Sequence, residues 1–66
     1  MTIQLNHRPC QCCDGATISS LMAENRFEFS HIIVKINGLV IEDDLWPDTI
    51  ITAGDDVEMI HVFGGG

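Results

Sequence analysis

Basic residues are scarce in this 66-residue chain: Arg8, Arg26 and Lys35 stand against ten acidic side chains, for a formal net charge of −7. That deficit repels phosphate backbones and anionic lipid surfaces, so nucleic acid and membrane surfaces are poor candidates for partners. No apolar run approaches the roughly 20 residues needed to cross a bilayer. The N-terminus lacks the basic and apolar segments of a secretory signal, and a cytoplasmic location is the expectation. Cysteines are not spread along the chain in the manner that staples small secreted domains. Cys10, Cys12 and Cys13 crowd together, and their odd number leaves at least one thiol unpaired, which fits reduced thiols.

Several catalytic and metal-binding patterns are missing as well. Cys10, Cys12 and Cys13 are soft ligands, and His7 or His31 offers a fourth for zinc, but a second spaced Cys or His pair is lacking. A redox role is weaker still. Inward thiols acting as small hydrophobes on a strand are the simpler account. Asp43, Asp44, Asp55 and Asp56 lack the Asp-x-Asp-x-Asp-Gly order of a calcium loop and read as turn chemistry and docking charge. His7, His31 and His61 have no serine or cysteine partner that would complete a triad. The expectation is a protein with no catalytic residue and no metal of its own.

What remains is enough for one folded domain. Hydrophobic residues make up 45% of the chain, and a chain this short has room for a single core. Ile3 and Leu5 alternate within a strand from Thr2 to Asn6. Arg8-Pro9 then reads as a turn, and Cys10 to Cys13 as a second strand with Cys10 and Cys12 on one face. Asp14-Gly15 ends that arm. Thr17 is placed to cap a short helix over Ile18 to Asn25, with Ile18, Leu21 and Met22 on its inner face. Ser20 occupies the position of a capping-box Glu or Gln, so that reinforcement is not expected.

Arg26 to Ser30 reads as a connection in which Phe27 or Phe29 covers the end of the core. The strongest local signal follows: His31 to Ile36, then Asn37-Gly38, then Leu39 to Ile41, a hairpin closed by a type I′ turn. Glu42 to Asp48 is an acidic loop or short helical turn, with Trp46 as a lid on the core or an exposed contact anchor. After a turn at Ala53-Gly54-Asp55-Asp56, a last strand spans Val57 to Phe63 and runs into three glycines. Val57 and Met59 face inward along it, whereas Ile60 and Val62 take the opposite face. A hairpin, a helix and further strands imply an α+β fold, with a mixed sheet of about five strands and the helix across one face.

The unusual feature is Gly64-Gly65-Gly66. Glycine lets an extended backbone pass through a channel too narrow for a Cβ, and so carries an α-carboxylate into a partner's active site. The bland alternatives are a frayed end or a cloning remnant. The apolar face of the preceding strand, next to the tail, favours function, because a partner could cover it.

In the order and spacing of Gly15-Ala16-Thr17-Ile18, Val34-Lys35-Ile36-Asn37-Gly38, the Trp46 segment, Gly54-Asp55-Asp56-Val57-Glu58 and Val62-Phe63-Gly64-Gly65-Gly66, the whole chain resembles the ThiS family of sulfur carriers. These are β-grasp proteins related to ubiquitin and to the molybdopterin-synthase small subunit. The resemblance implies a β-grasp domain over residues 1–63 and a flexible tail over 64–66. It implies a carrier and not an enzyme, with no bound cofactor. A ThiF-type, ubiquitin-activating-like adenylyltransferase would use MgATP to adenylate the Gly66 carboxylate. Sulfur drawn from cysteine by a desulfurase would then give a thiocarboxylate that supplies a ThiG-type thiazole synthase in thiamin biosynthesis. Gly64 and Gly65 would thread the tail into partner sites, and Ile60, Val62 and Phe63 would dock the partner. Service to molybdopterin or another thiocarboxylate pathway, or a non-carrier ubiquitin-like module, are the alternatives. The family often has a basic residue where this chain has Asp43-Asp44-Leu45 before Trp46, and the cysteine cluster is foreign to its pattern.

Overall fold

The computed structural model describes residues 1–25 and 31–62, and in it the period-2 segments become a five-stranded mixed sheet. The strands are β1 (Thr2–Leu5), β2 (Arg8–Gln11), β3 (Ile32–Ile36), β4 (Leu39–Ile41) and β5 (Asp56–His61), with helix α1 (Ile18–Glu24) between β2 and β3 and a 3₁₀ turn over Asp43–Leu45. Their order across the sheet is β2-β1-β5-β3-β4. β5 enters the middle, parallel to β1 and antiparallel to β3. This is the expected α+β architecture with one helix and one mixed sheet. Phe27, Phe29, Phe63 and the three terminal glycines lie outside the described residues.

Alternation decides which side chains meet. Ile3, Val34, Val57 and Met59 project from the sheet to the same side as Ile18, Leu21 and Met22 of α1, and these residues, with Ile32, Trp46 and Ile51, form the core. Ile18, Leu21, Met22, Val34 and Val57 are completely buried. Burial of aliphatic side chains on this scale, about 1.5–3 kcal/mol for each one removed from water, is what a chain of this size has to offset its conformational entropy. Trp46 is a lid and not an exposed anchor: it is 5% exposed, and its indole N–H donates to the Ile41 carbonyl at 3.0 Å.

Three local expectations are corrected. The first hairpin turns at Asn6-His7, not Arg8-Pro9, because both residues adopt positive φ (51° and 68°) and Leu5 pairs with Arg8 across a two-residue loop. Asparagine tolerates this left-handed conformation, and the type I′ turn matches the strand twist. The second strand therefore starts at Arg8 and ends at Gln11. Pro9 sits within it without harm, since β2 is an edge strand whose outward side needs no N–H.

A capping box is also present. The Ser20 amide donates to Thr17 Oγ1 at 3.2 Å while the Thr17 amide donates to Ser20 Oγ at 2.9 Å. A serine hydroxyl reaches the cap amide as a glutamate would. Thr17→Ala is expected to cost about 1 kcal/mol, read as a shift in the urea midpoint with an unchanged slope. The last strand, finally, begins at Asp56, which was expected in the turn, and runs to His61, and Val62 still donates its amide to the His31 carbonyl at 2.7 Å; Phe63 lies outside the described residues. The Asn37-Gly38 turn forms as expected, with φ of 52° and 83°.

Candidate functional site

β5 carries the chain toward the glycine tail, and the two faces of this strand divide its work. Val57 and Met59 are held in the core, whereas Ile60 and Val62 remain 41% and 48% exposed. Ile33 of β3 stands directly opposite Ile60, and Lys35 stands between Glu58 of β5 and Val40 of β4. Ile33 and Val40 are exposed too. The sheet face away from α1 thus presents Ile33, Val40 and Ile60, with Val62 at its margin and one Lys35–Glu58 cross-strand pair of opposite charge. Of the expected docking residues, Ile60 and Val62 come together here, and Phe63 lies outside the described residues. Ile33 and Val40 were not singled out from sequence, although strand alternation together with the register of the Asn37-Gly38 hairpin would have found them.

The start of β5 is fixed by a polar knot. Asn37 donates its amide N–H to the Asp56 carbonyl at 2.8 Å and its Nδ2 to Asp55 Oδ1 at 3.1 Å, and its own Oδ1 accepts from the Asp56 amide at 2.9 Å. Asp55 Oδ2 accepts from the Thr52 amide at 2.9 Å. Partial burial works to raise the Asp55 pKa, but the hydrogen bonds from Thr52 and Asn37 outweigh it and hold the carboxyl below its usual value. A depressed carboxylate pKa in the folded state contributes stability that is present above the unfolded-state pKa and is lost as pH falls through the folded one. Asp55→Ala is expected to cost about 1 kcal/mol near neutral pH and much less once the medium is acidic enough to protonate Asp55, as followed by thermal melts across the acid range.

The other end of the β1–β5 pair is held by Asn6. Its amide N–H donates to the Val57 carbonyl at 2.9 Å; its Oδ1 accepts from the Met59 amide at 2.8 Å, and its Nδ2 donates to the Met59 carbonyl at 3.2 Å. Nearby, His7 Nε2 lies 3.9 Å from Glu58 Oε2 on the exposed face.

The remaining chemistry-bearing side chains stay apart. Cys12 is buried, Cys10 is half-buried and Cys13 is exposed. Burial pushes the Cys12 thiol up, which disfavours the thiolate that a metal or a nucleophilic role requires. Among the described residues no group of three or more His, Cys, Asp or Glu is placed to hold a metal ion. The cysteines lie at the end of the sheet where Thr2 pairs with Gln11, and Cys12 donates its amide to the Met1 carbonyl. β5 leaves the sheet at the opposite end. Asp43 and Glu42 line a shallow cleft of about 230 Å³ with Ile33, Val40 and Trp46, and Asp44 faces solvent. No helix among the described residues is long and apolar enough to cross a membrane.

Comparison with known proteins agrees with this arrangement. The model of the ThiS family matches residues 3–66. A crystal structure of the thiamine biosynthesis protein ThiS from Geobacter metallireducens superimposes with a TM-score of 0.87 at 25% identity, covering all of both chains. A solution structure of a thiamine biosynthesis protein from the same organism superimposes with a TM-score of 0.80 at 25% identity, over 100% of this chain and 88% of the other. Two relatives are described only as uncharacterized protein ycf40: that of Porphyra purpurea is 30% identical and that of Pyropia yezoensis 26%, each over 100% of this chain and 93% of the relative.

Proposed function

Since the chain belongs to the ThiS family, we propose that it is a sulfur carrier of thiamin biosynthesis that works through the α-carboxylate of Gly66. The observation that carries this reading is the family match, which runs through the glycines to residue 66. The fold adds support: a small β-grasp domain ends in a central strand with an apolar outer face, so that a docked partner would lie next to the tail.

The chemistry needs little from the carrier. A Gly66 carboxylate oxygen attacks the α-phosphorus of MgATP in a ThiF-type adenylyltransferase, releasing pyrophosphate and leaving an acyl adenylate. The terminal sulfur of a partner's persulfide, charged from cysteine by a desulfurase, attacks the carbonyl carbon and expels AMP. A further thiol breaks the resulting S–S bond, being oxidised to a disulfide as the thiocarboxylate is released. The thiocarboxylate then gives its sulfur to a ThiG-type thiazole synthase.

Gly64 and Gly65 supply reach and thinness, since any Cβ there would meet the walls of the partner's channel. Ile60 and Val62, with Ile33 and Val40 on the same sheet face, form the docking surface, and Phe63, next in sequence, is assigned to it as well. The excess negative charge speeds encounter with a basic patch on the partner. In this role the chain is a co-substrate and binds no cofactor itself. Incubating the sulfur-charged chain with thiazole synthase, and in parallel with the large subunit of molybdopterin synthase, tests the pathway. Transfer to the thiazole alone is the expected result, and transfer only to the pterin would overturn the thiamin assignment.

A further inference from the structure

Backbone pairing between β1 and β5 is short. The register gives only Gln4 opposite Asp56 and Leu5 opposite Val57 before β1 stops, whereas on the other side β3 accompanies β5 as far as Ile32 opposite His61. Asn6 extends the shorter side. With φ at 51°, its backbone has left the strand direction to begin the turn. Its amide still reaches the Val57 carbonyl at 2.9 Å, and its carboxamide takes up both main-chain groups of Met59, at 2.8 and 3.2 Å.

This is the hydrogen-bond pattern of one further strand residue, made by a side chain. Its donor and acceptor are ordered as only Asn or Gln can provide, and only Asn is short enough to begin a type I′ turn at the same position. The bond spans 53 positions of sequence and ends one residue before Ile60 and three before Val62. It therefore holds the strand at the point where the core contact of Met59 gives way to the outer face at Ile60.

We infer that Asn6 is a positioning residue for the docking strand: its carboxamide fixes the outgoing end of β5, so that the Ile60 face meets the activating partner in a defined geometry. The inference rests on the carrier reading above. A carrier whose β5 end is loose must be ordered as it docks, and that entropy appears as weaker productive binding. Once it is docked, the partner's own contacts hold the strand, and the adenylation step is unchanged.

Asn6→Gly is the informative variant, because glycine accepts the positive φ of the turn and removes only the side chain. With the activating partner and MgATP, the KM for the carrier is expected to rise about fivefold while kcat stays within about twofold, and the Met59 amide should exchange with deuterium much faster while that of Val34 does not. Asn6→Asp keeps the acceptor for the Met59 amide but faces the Met59 carbonyl with a second oxygen, and an intermediate or larger KM is expected. This second variant carries the test should the glycine variant not fold. An unchanged KM in a variant whose Met59 amide exchanges faster would overturn the inference, as would unchanged exchange at Met59. If the wild-type chain is not adenylated at all, the carrier reading itself falls, which is a different outcome from a competent wild type with an indifferent Asn6.

Discussion

Removing Gly65 and Gly66 is expected to abolish sulfur transfer completely while leaving the melting temperature within a few degrees of the full chain. The reason lies in the distribution of the core. Its buried side chains run from Ile3 to Met59, and every strand pairing of the described sheet is complete by His61. Shortening the tail removes none of them, so calorimetry of the deletion should trace the same transition. The chemistry has no substitute group, because a carboxylate shifted back to Gly64 falls short of the nucleotide by two residues, roughly 7 Å of extended chain. A deletion that melts much lower would mean that the glycines are part of the fold, and residual transfer would mean that Gly66 is not the attachment point.

Ile60→Asp separates docking from folding. Ile60 is 41% exposed and lies opposite Ile33 on the face away from α1, whereas its neighbour Met59 is 3% exposed in the core. A charge at residue 60 keeps contact with water in the free chain and loses it when a partner covers the face, so its desolvation cost falls mainly on the complex. The expected result is a loss of tenfold or more in affinity for the activating partner, about 1.4 kcal/mol or more, with a stability change near 0.5 kcal/mol. Titration calorimetry and urea unfolding measure the two numbers on the same preparation. A stability loss of several kcal/mol with unchanged affinity would show that this face is not the docking surface.

Much of this was legible in the residues. The Ile32–Ile36 and Leu39–Ile41 pair was announced by Asn37-Gly38, because a two-residue loop with both φ values positive leaves one register and therefore one set of cross-strand partners. The inner stripe of α1 followed from the spacing of Ile18, Leu21 and Met22, and the division of β5 from strict alternation. The Asn6-His7 turn was hidden because Pro9 is a louder turn signal than Asn-His, and an edge strand tolerates a proline that a central strand does not. The serine capping box was missed for a similar reason: Glu or Gln is the usual partner at that position, yet a hydroxyl makes the same bond.

Long-range polar links were the least legible. Nothing local to Asn6 indicates that it will bind Met59, nor does anything near Asn37 point to Asp55; those pairings exist only once the topology has brought β5 between β1 and β3. The tail itself was visible in composition alone, and its meaning came from the β-grasp domain that precedes it and from the family to which the chain belongs. Two of the cysteines are a feature of packing: Cys12 fills the core beside β2 and half-buried Cys10 packs against it, whereas nothing in the structure explains the exposed thiol of Cys13.

The most direct test of the central claim is the intact mass of the chain after incubation with MgATP, cysteine, a desulfurase and the activating enzyme, measured beside a chain lacking Gly66. The account predicts a gain equal to one sulfur in place of one oxygen in the full chain, located to Gly66 by fragmentation and absent from the shortened one. No gain with an activating enzyme that charges its own carrier, or a gain that persists without Gly66, would contradict it.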